Sequence, residues 1–478
     1  MDQKGAFNPS RCEIISAELI PFGKNIGAEN NPNISALIAA FDISQSIVNS
    51  AISGTLEVFD GIGILENLPI RGEETINLTI KAYDLQTEVD LLCQIYKVDS
   101  VEVTSEQNGL AYTLHWVSKT SYEASKRSFI KGYINKSASS IVKDIFKNYY
   151  HGQVELPAYT TPDDRKEDFP ENTLKFNLGN DKGRKLFIEE TSDPLQITIP
   201  DMSPAQAIQF VARRTFGKQP NAGSSFRFFE TYKGFYFVSD EWLYEYGRRN
   251  GASIFQYGSF ISLDPEHASE QITSLSHFGN PSRVDVGSEM ASGAYKSTVL
   301  EIDILKRTAK RYNYKYEDFL TKFKDSTGNN ATIKNDKHTQ GFIDATFTDE
   351  NARQYMIIRD YKDDTSSKGF RSETNFRNLA AQRTFYKNHA AATAVSAVTE
   401  GRLDISAGDI IRINTLAKNI SSDKEDNPQI SGRFLVSGVQ NSVSDGVLKT
   451  AMSLFKYDWS DAGEDDGNRS TTNIEVAT

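Results

Sequence analysis

The chain has 478 residues, and its 53 Lys and Arg against 64 Asp and Glu give a net charge of −11 at pH 7. This balance argues against tight, non-specific binding to nucleic acid, because such binding requires clustered cationic side chains. The length predicts about three or four domains. Two cysteines, Cys12 and Cys93, are too few for a disulfide framework and indicate a reducing compartment.

Alternating strands dominate the first 120 residues. One strand follows Gly72 and places apolar side chains on one face only; these are Ile76, Leu78, Ile80 and Ala82. A polar connection then leads to a second strand at 96–101, a turn at Asn108-Gly109 and a third strand at 111–116. The isoleucines within 42–53 allow a short helix between two strands.

The middle of the chain mixes helical and extended patterns. Ser137 precedes an apolar helical stripe over 141–146, and Ser203 followed by Pro204 caps a second helix. A β-hairpin turns at Lys233-Gly234. The remaining predicted segments are an extended stretch (298–305), a helix (375–394), two long polar segments (157–180 and 325–340) and a disordered acidic end (461–478).

The C-terminal part repeats the pattern of the N-terminal part. Gly408 opens a strand at 409–413, which is followed by a polar loop, a strand at 434–439, a turn at Asp445-Gly446 and a strand at 448–455. Both copies read aromatic-x-Val-x-x-Val before the Xaa-Gly turn, which aligns Tyr96 with Phe434. In both copies, the alternation of apolar residues along this strand is interrupted at the same place, as a β-bulge would produce.

The sequence therefore predicts an α+β fold that is mainly β, with two similar β-barrel-like domains separated by a helical domain and a mixed α/β domain. The predicted boundaries are 1–120 (first barrel), 121–222 (helical domain with a long loop), 223–394 (mixed α/β domain with a polar insertion), 395–460 (second barrel) and 461–478 (acidic tail).

Motifs of catalysis, cofactor binding or metal binding are absent from the sequence. The six histidines have no metal-ligand spacing, and neither a phosphate-binding loop nor a nucleophile elbow occurs. We interpret Glu189, Glu190 and Glu241 as solvated surface carboxylates rather than a glycosidase pair. The basic and aromatic residues of 306–316 favour an exposed protein contact over nucleic-acid stacking. Since no signal peptide or run of about 18 apolar residues occurs, we expect a soluble protein without a membrane anchor.

Several segments taken together resemble the central hub proteins of contractile phage tail baseplates. In chain order they are GTLEVFD (54–60), LPIRGEE (68–74), KGYI (131–134), SIVKDI (140–145), IPDMSP (199–204), the hairpin at 226–237 and GRLDISAGDII (401–411). Their order along residues 10–458 carries the resemblance. The segments 157–180 and 325–340 and the acidic end have no counterpart in it.

The resemblance implies a structural virion protein that is not an enzyme and needs no cofactor. Three chains would form a ring-shaped homotrimer whose six barrels dock on the sixfold tail tube, while its other side receives a threefold central spike protein. DNA would leave through the ring without specific binding, and the tape-measure protein and baseplate wedge are further implied neighbours. The protein would be made in the host cytoplasm and reside in the tail baseplate. Expected intersubunit contacts on strand edges are Ile76, Leu78, Ile80, Ile411 and Ile413.

Two other functions compete with this interpretation. A tail-associated cell-wall hydrolase would need a carboxylate pair or a Cys/His site in a cleft. The spike-base protein of a related contractile injection device would share the two barrels but continue into further β domains. Since the sequence ends soon after its second predicted barrel, we expect a separate spike partner.

Overall fold

The protein is described by a computed structural model over residues 10–24, 27–28, 31–68, 70–82, 87–104, 109–150, 185–191, 194–218, 224–243, 253–257, 273–279, 296–303, 307–315, 353–358, 394–415 and 431–456. The predicted polar segments 157–180 and 325–340, the helix at 375–394 (apart from Ala394) and the acidic end lie outside these residues.

The fold is mainly β, as predicted. The strands are β1 (Cys12–Ile20), β2 (Ile38–Ser46), β3 (Ser53–Asp60), β4 (Thr75–Ala82), β5 (Thr87–Thr104), β6 (Gly109–Ser118), β7 (Phe129–Ser137), β8 (Lys185–Ile188), β9 (Pro194–Met202), β10 (Phe226–Thr231), β11 (Gly234–Ser239), β12 (Ser253–Tyr257), β13 (Leu275–Gly279), β14 (Lys296–Asp303), β15 (Thr308–Lys315), β16 (Arg353–Ile358), β17 (Val395–Glu400), β18 (Ile410–Thr415), β19 (Gly432–Ser444) and β20 (Val447–Phe455). The α-helices are α1 (Ile64–Asn67), α2 (Lys119–Ser125), α3 (Ala138–Ile145) and α4 (Pro204–Ala212).

Twelve strands form one sheet that contains both predicted modules. The first module runs β1-β4-β5-β6-β3-β2, and the second runs β12-β18-β19-β20-β17-β13. The two orders correspond strand for strand, which confirms the duplication. They differ in one pairing, because β1 is antiparallel to β4 whereas β12 is parallel to β18. The second module includes β12 and β13, which the sequence placed in the preceding domain.

A bulge marks the equivalent point in both modules, but in the first module it lies three residues before the predicted interruption between Val98 and Val101. It lies at Tyr96 in β5 and at Ser437 in β19, where the register with the next strand shifts by one residue. Each bulge follows a residue whose N–H donates to the carbonyl of an acidic residue before β4 or β18, namely Ile95 to Glu74 (3.0 Å) and Val436 to Asp409 (2.9 Å). The bulges therefore fix the equivalence of the two modules.

The alignment of Tyr96 with Phe434 is wrong by three residues. Tyr96 is 49% exposed, whereas Phe434 is 2% exposed and lies in the core of the second module. The register places Phe434 level with the buried Cys93, because these residues pair with Ile411 and Ile76, respectively. The shared aromatic character of positions 96 and 434 does not reflect a shared environment.

Two further predictions of local structure are wrong. The predicted polar connection before residue 96 is the first half of β5, in which Val89, Leu91 and Cys93 alternate inward with polar residues between them. The segment 42–53 is not helical, because β2 continues to Ser46. Phe41 and Ile43 lie two residues apart on its buried face, and a turn connects β2 to β3.

The helices and the hairpin of the middle region confirm their sequence signals and share a core. Ser137 caps α3, and Ser203 forms a capping box with Gln206 at the start of α4. The hairpin β10–β11 pairs in register through a turn at Tyr232-Lys233, one residue before the predicted Lys233-Gly234, and β8 joins it as a parallel strand. Apolar side chains from α3, α4, β7, β9 and this hairpin form one buried cluster.

Candidate functional site

A turn that contains a glycine and an acidic residue precedes β4 in the first module and β18 in the second. The Glu74 carboxylate accepts hydrogen bonds from the backbone N–H groups of Arg71, Gly72 and Glu73 at 3.0–3.2 Å. Gly72 has φ +92°, and a Cβ there would lie 3.3 Å from the carbonyl oxygen of Tyr96. The left-handed backbone and the close approach to β5 both favour glycine at this position.

The second module has a similar turn, in which the glycine lies one residue, and not two, before the acidic residue. Asp409 Oδ2 accepts the N–H of Ser406 at 2.8 Å, which is the same three-residue separation as from Glu74 to Arg71. Gly408 has φ +90°, and a Cβ there would lie 3.0 Å from the Phe229 ring. Asp409 also pairs with Lys233 at 2.9 Å, so this turn is attached to the hairpin β10–β11.

A buried carboxylate fastens the first module to the same hairpin. Glu230 accepts hydrogen bonds from the N–H of Ile52 (3.2 Å), the hydroxyl of Ser118 (2.6 Å) and the hydroxyl of Ser121 (2.7 Å). These three donors lie before β3, at the end of β6 and in α2. One carboxylate thus fixes β10 against two segments of the first module and against the neighbouring helix α2.

A polar network lies between the hairpin and the junction of the two modules. The amide of Asn441 on β19 donates to the hydroxyl of Tyr232 at 3.0 Å, and its Oδ1 accepts from the hydroxyl of Thr450 at 2.8 Å. Burial raises the pKa of Tyr232 well above its usual range, so its hydroxyl stays protonated. Since all three residues come from different strands or turns, the network fixes their relative register.

The junction itself is a strand pair between β19 and β2. Residues 438–444 of β19 lie antiparallel to residues 46–40 of β2, with Val443 opposite Phe41. Val443 is 6% exposed and belongs to the core of the first module, together with Leu403 and Leu448 from the second. The second module therefore supplies part of the core of the first.

Two strand edges, on β5 and on β13, are open among the described residues. The second half of β5, residues 97–104, pairs with β6 on one side only, and β13 pairs only with β17. The exposed apolar residues Val101 and Val103 lie on this part of β5, with 53% and 77% of their surface in solvent. An open strand edge with exposed valines is a surface suited to strand addition.

The five predicted contact residues do not lie on open edges. Their strands β4 and β18 are paired on both sides, and all five side chains are at most 1% exposed in the barrel cores; they are Ile76, Leu78, Ile80, Ile411 and Ile413. These residues were chosen because apolar side chains alternate along their strands. Such alternation shows that one face of a strand is buried, and it occurs in edge strands and internal strands alike. The open edges of β5 and β13 were missed because edge position depends on long-range pairing.

The carboxylates considered for catalysis are held in structural contacts. Glu189 is buried and accepts from the N–H and hydroxyl of Ser239, whereas Glu190 pairs with Lys218 at the surface. The interpretation of Glu189 and Glu241 as solvated surface residues is therefore wrong. For Glu241 the evidence is its second carboxylate oxygen, Oε2, which is shielded from solvent, and burial together with the charge of Asp240 raises the pKa of Glu241 to about 7.

Part of the predicted basic segment is exposed, and both cysteines are buried. Lys310 and Arg311 are exposed on β15, which pairs with β14, as the predicted protein-contact segment requires. Cys12 and Cys93 are buried free thiols and do not form a disulfide. Within the described ranges, no group of three or more His, Cys, Asp or Glu is placed to hold a metal ion. No helix of those ranges is long and apolar enough to cross a membrane.

Comparison of the sequence with known proteins finds no matching family model and no matching curated protein. Comparison of the fold finds phage tail and type VI secretion proteins. A tail protein from Neisseria meningitidis MC58 is 11% identical with a TM-score of 0.47, over 94% of this chain and 98% of that one. The 43 kDa tail protein of prophage MuSo2 from Shewanella oneidensis is 9% identical with a TM-score of 0.47, over 93% and 100%. A component of the E. coli type VI secretion system, described as similar to T4 bacteriophage tail proteins gp27 and gp5, is 7% identical with a TM-score of 0.42, over 89% and 75%.

Proposed function

We propose that this chain is a structural protein of a phage tail, and that three copies form the hub of the baseplate. In this role the trimer joins the sixfold tail tube to a threefold central spike protein and surrounds the channel through which DNA leaves. The observation that carries the proposal is the pair of equivalent six-strand modules within one continuous sheet.

The duplication supplies the symmetry that such an adaptor needs. Three chains with two modules each present six similar units to the sixfold tail tube. The segments that occur once per chain present three units to the threefold spike. A cyclic trimer is a closed arrangement in which each chain makes the same contacts. The bulges and acidic turns recur in both modules, so the two modules share the backbone features that a sixfold partner requires of them.

The charge of the chain suits a channel for DNA. A net charge of −11 per chain disfavours adsorption of the phosphate backbone to the protein. In the hub, passage of DNA therefore depends on repulsion from the protein and not on a binding site. This is a non-enzymatic role, in keeping with the structural contacts of Glu189 and Glu190.

The test is the solution mass of the purified protein, measured by light scattering alone and with the spike protein encoded nearby. The expected result is a mass near three times 53.4 kDa for the protein alone, or that mass plus the mass of the bound spike after mixing. A monomer in both conditions contradicts the hub role. A zymogram on cell-wall substrate in the same preparation identifies the hydrolase alternative, for which a cleared band is the positive outcome.

A further inference from the structure

The junction inside one chain gives the register for a second junction between chains. Within the chain, the outer edge of β19 is covered by β2, with Ser442, Val443 and Ser444 opposite Asp42, Phe41 and Ala40. The strand order makes β5 the equivalent of β19 and β13 the equivalent of β2. The edges equivalent to this closed pair are therefore those of β5 and β13, which are open among the described residues.

The equivalence on β5 is defined residue by residue. The bulges at Tyr96 and Ser437 align β5 with β19 and β6 with β20. In this alignment Val103, which pairs with Leu110 on β6, corresponds to Val443, which pairs with Leu448 on β20. The first module has one extra residue at Ser100-Val101, where Ser100 has φ +55° and the register shifts again. After this insertion Glu102, Val103 and Thr104 occupy the positions of Ser442, Val443 and Ser444.

The equivalence on β13 has its own marker. A shift between Leu275 and His277 in the pairing with β17 matches the shift between Ile38 and Ala40 in the pairing with β3. Phe278 is thereby the equivalent of Phe41. Phe41 is buried beneath the junction, whereas Phe278 remains partly exposed next to the core of the second module.

We infer that the outer edge of β5 in one copy of this chain binds the outer edge of β13 in a second copy, antiparallel, with Val103 of one opposite Phe278 of the other. Glu102 then lies opposite Gly279, and Thr104 opposite His277. This inference rests on the proposed trimeric hub and specifies its interface. The two edges are different surfaces of one chain, so the contact is head-to-tail. Such contacts form closed rings where the rotation between copies closes and open filaments where it does not, but not twofold dimers.

The exposure of the two valines supports this occupant. Val103 is 77% exposed, whereas its equivalent Val443 is 6% exposed because β2 covers it. A strand that is equivalent to β2 carries the matching phenylalanine and the matching bulge, and only the second module of another copy can present it to β5. The same chain thus contains both halves of the contact on strands that do not pair with each other in the described part of one molecule.

The test uses paired cysteines in the full-length protein. Val103→Cys with Phe278→Cys places the two thiols at directly opposite positions of adjacent strands, within the range of a disulfide. The native thiols Cys12 and Cys93 are buried and do not compete. The matched control is Ile134→Cys with Phe278→Cys, because Ile134 is 69% exposed on β7, which belongs to a separate two-stranded sheet with β9.

Mild oxidation followed by a non-reducing gel gives the result. The expected product is a covalent species of three chains for the Val103/Phe278 pair and none for the control pair. Val103→Lys is expected to raise the dissociation constant of the trimer at least about tenfold, and Ile134→Lys to leave it unchanged.

The outcomes separate this inference from the proposed function. A trimer by light scattering that shows no cross-link at Val103/Phe278 and tolerates Val103→Lys overturns the interface and leaves the hub role intact. Cross-linking that stops at two chains also overturns it, because a head-to-tail ring continues to the third chain. A monomer under all conditions, with or without the spike protein, overturns both.

Discussion

Removal of the Glu230 carboxylate tests whether the first module is fastened to the hairpin as described. In Glu230→Ala, the N–H of Ile52 and the hydroxyl of Ser118 lose their acceptor inside the protein. The hydroxyl of Ser121 keeps its contact with Tyr150 at 2.8 Å and is less affected. A buried polar group without a partner costs about 1–3 kcal/mol, so two such groups predict a loss of about 4 kcal/mol in the free energy of unfolding.

The assay is urea denaturation followed by intrinsic fluorescence and circular dichroism, with agreement of the two midpoints as the criterion for a single transition. Trp116 lies in the core two residues before Ser118 and reports on this part of the first module. The matched control is Glu190→Ala. Its surface ion pair with Lys218 is worth about 0–1 kcal/mol. A loss below about 1 kcal/mol for Glu230→Ala, or one equal to that of the control, would refute the reasoning.

Two other predictions concern equivalent or titrating side chains. Val443→Ala is expected to lower the unfolding free energy by about 1–3 kcal/mol, because this side chain is buried beneath β2. Val103→Ala is expected to lower it by less than about 0.5 kcal/mol in the monomer, because Val103 is exposed. Equal losses measured by urea denaturation would contradict the assigned exposures. Glu241 has a folded pKa of about 7 against an ordinary 4.5, so the folded state binds more protons than the unfolded state between these values. The unfolding free energy therefore falls as the pH rises through this window. Glu241→Gln is expected to restore up to about 3 kcal/mol of it at pH 8 and to change little at pH 4. Thermal denaturation across pH 4–8 checks this, and a variant with the same pH profile as the wild type would contradict the buried environment.

The local elements of this fold could be predicted from the sequence where one rule acted alone. The alternation of Ile76, Leu78 and Ile80 predicts β4, and the caps at Ser137 and Ser203 predict the starts of α3 and α4. These signals depend on neighbours within a few residues. The duplication was also visible, since its turns and bulges leave a pattern in each copy.

The errors arose where local patterns are ambiguous or where pairing is distant. Ile43 and Ile47 have a spacing that fits a helix, although β2 places Phe41 and Ile43 inward with a period of two. Core and edge strands show the same alternation, so the sequence could not tell that β4 is internal. The pairing of β2 with β19 joins residues almost 400 positions apart, and no local signal encodes it.

That pairing has a consequence for the synthesis of the chain. The first module is complete in sequence by residue 118, yet its β2 edge stays uncovered until residues 438–444 leave the ribosome. At about 5–20 residues per second, the delay is on the order of tens of seconds. During that time the nascent chain displays the unpaired β2 edge without Val443 and Leu448 to fill its core. A chain truncated before residue 432 would keep that edge open permanently.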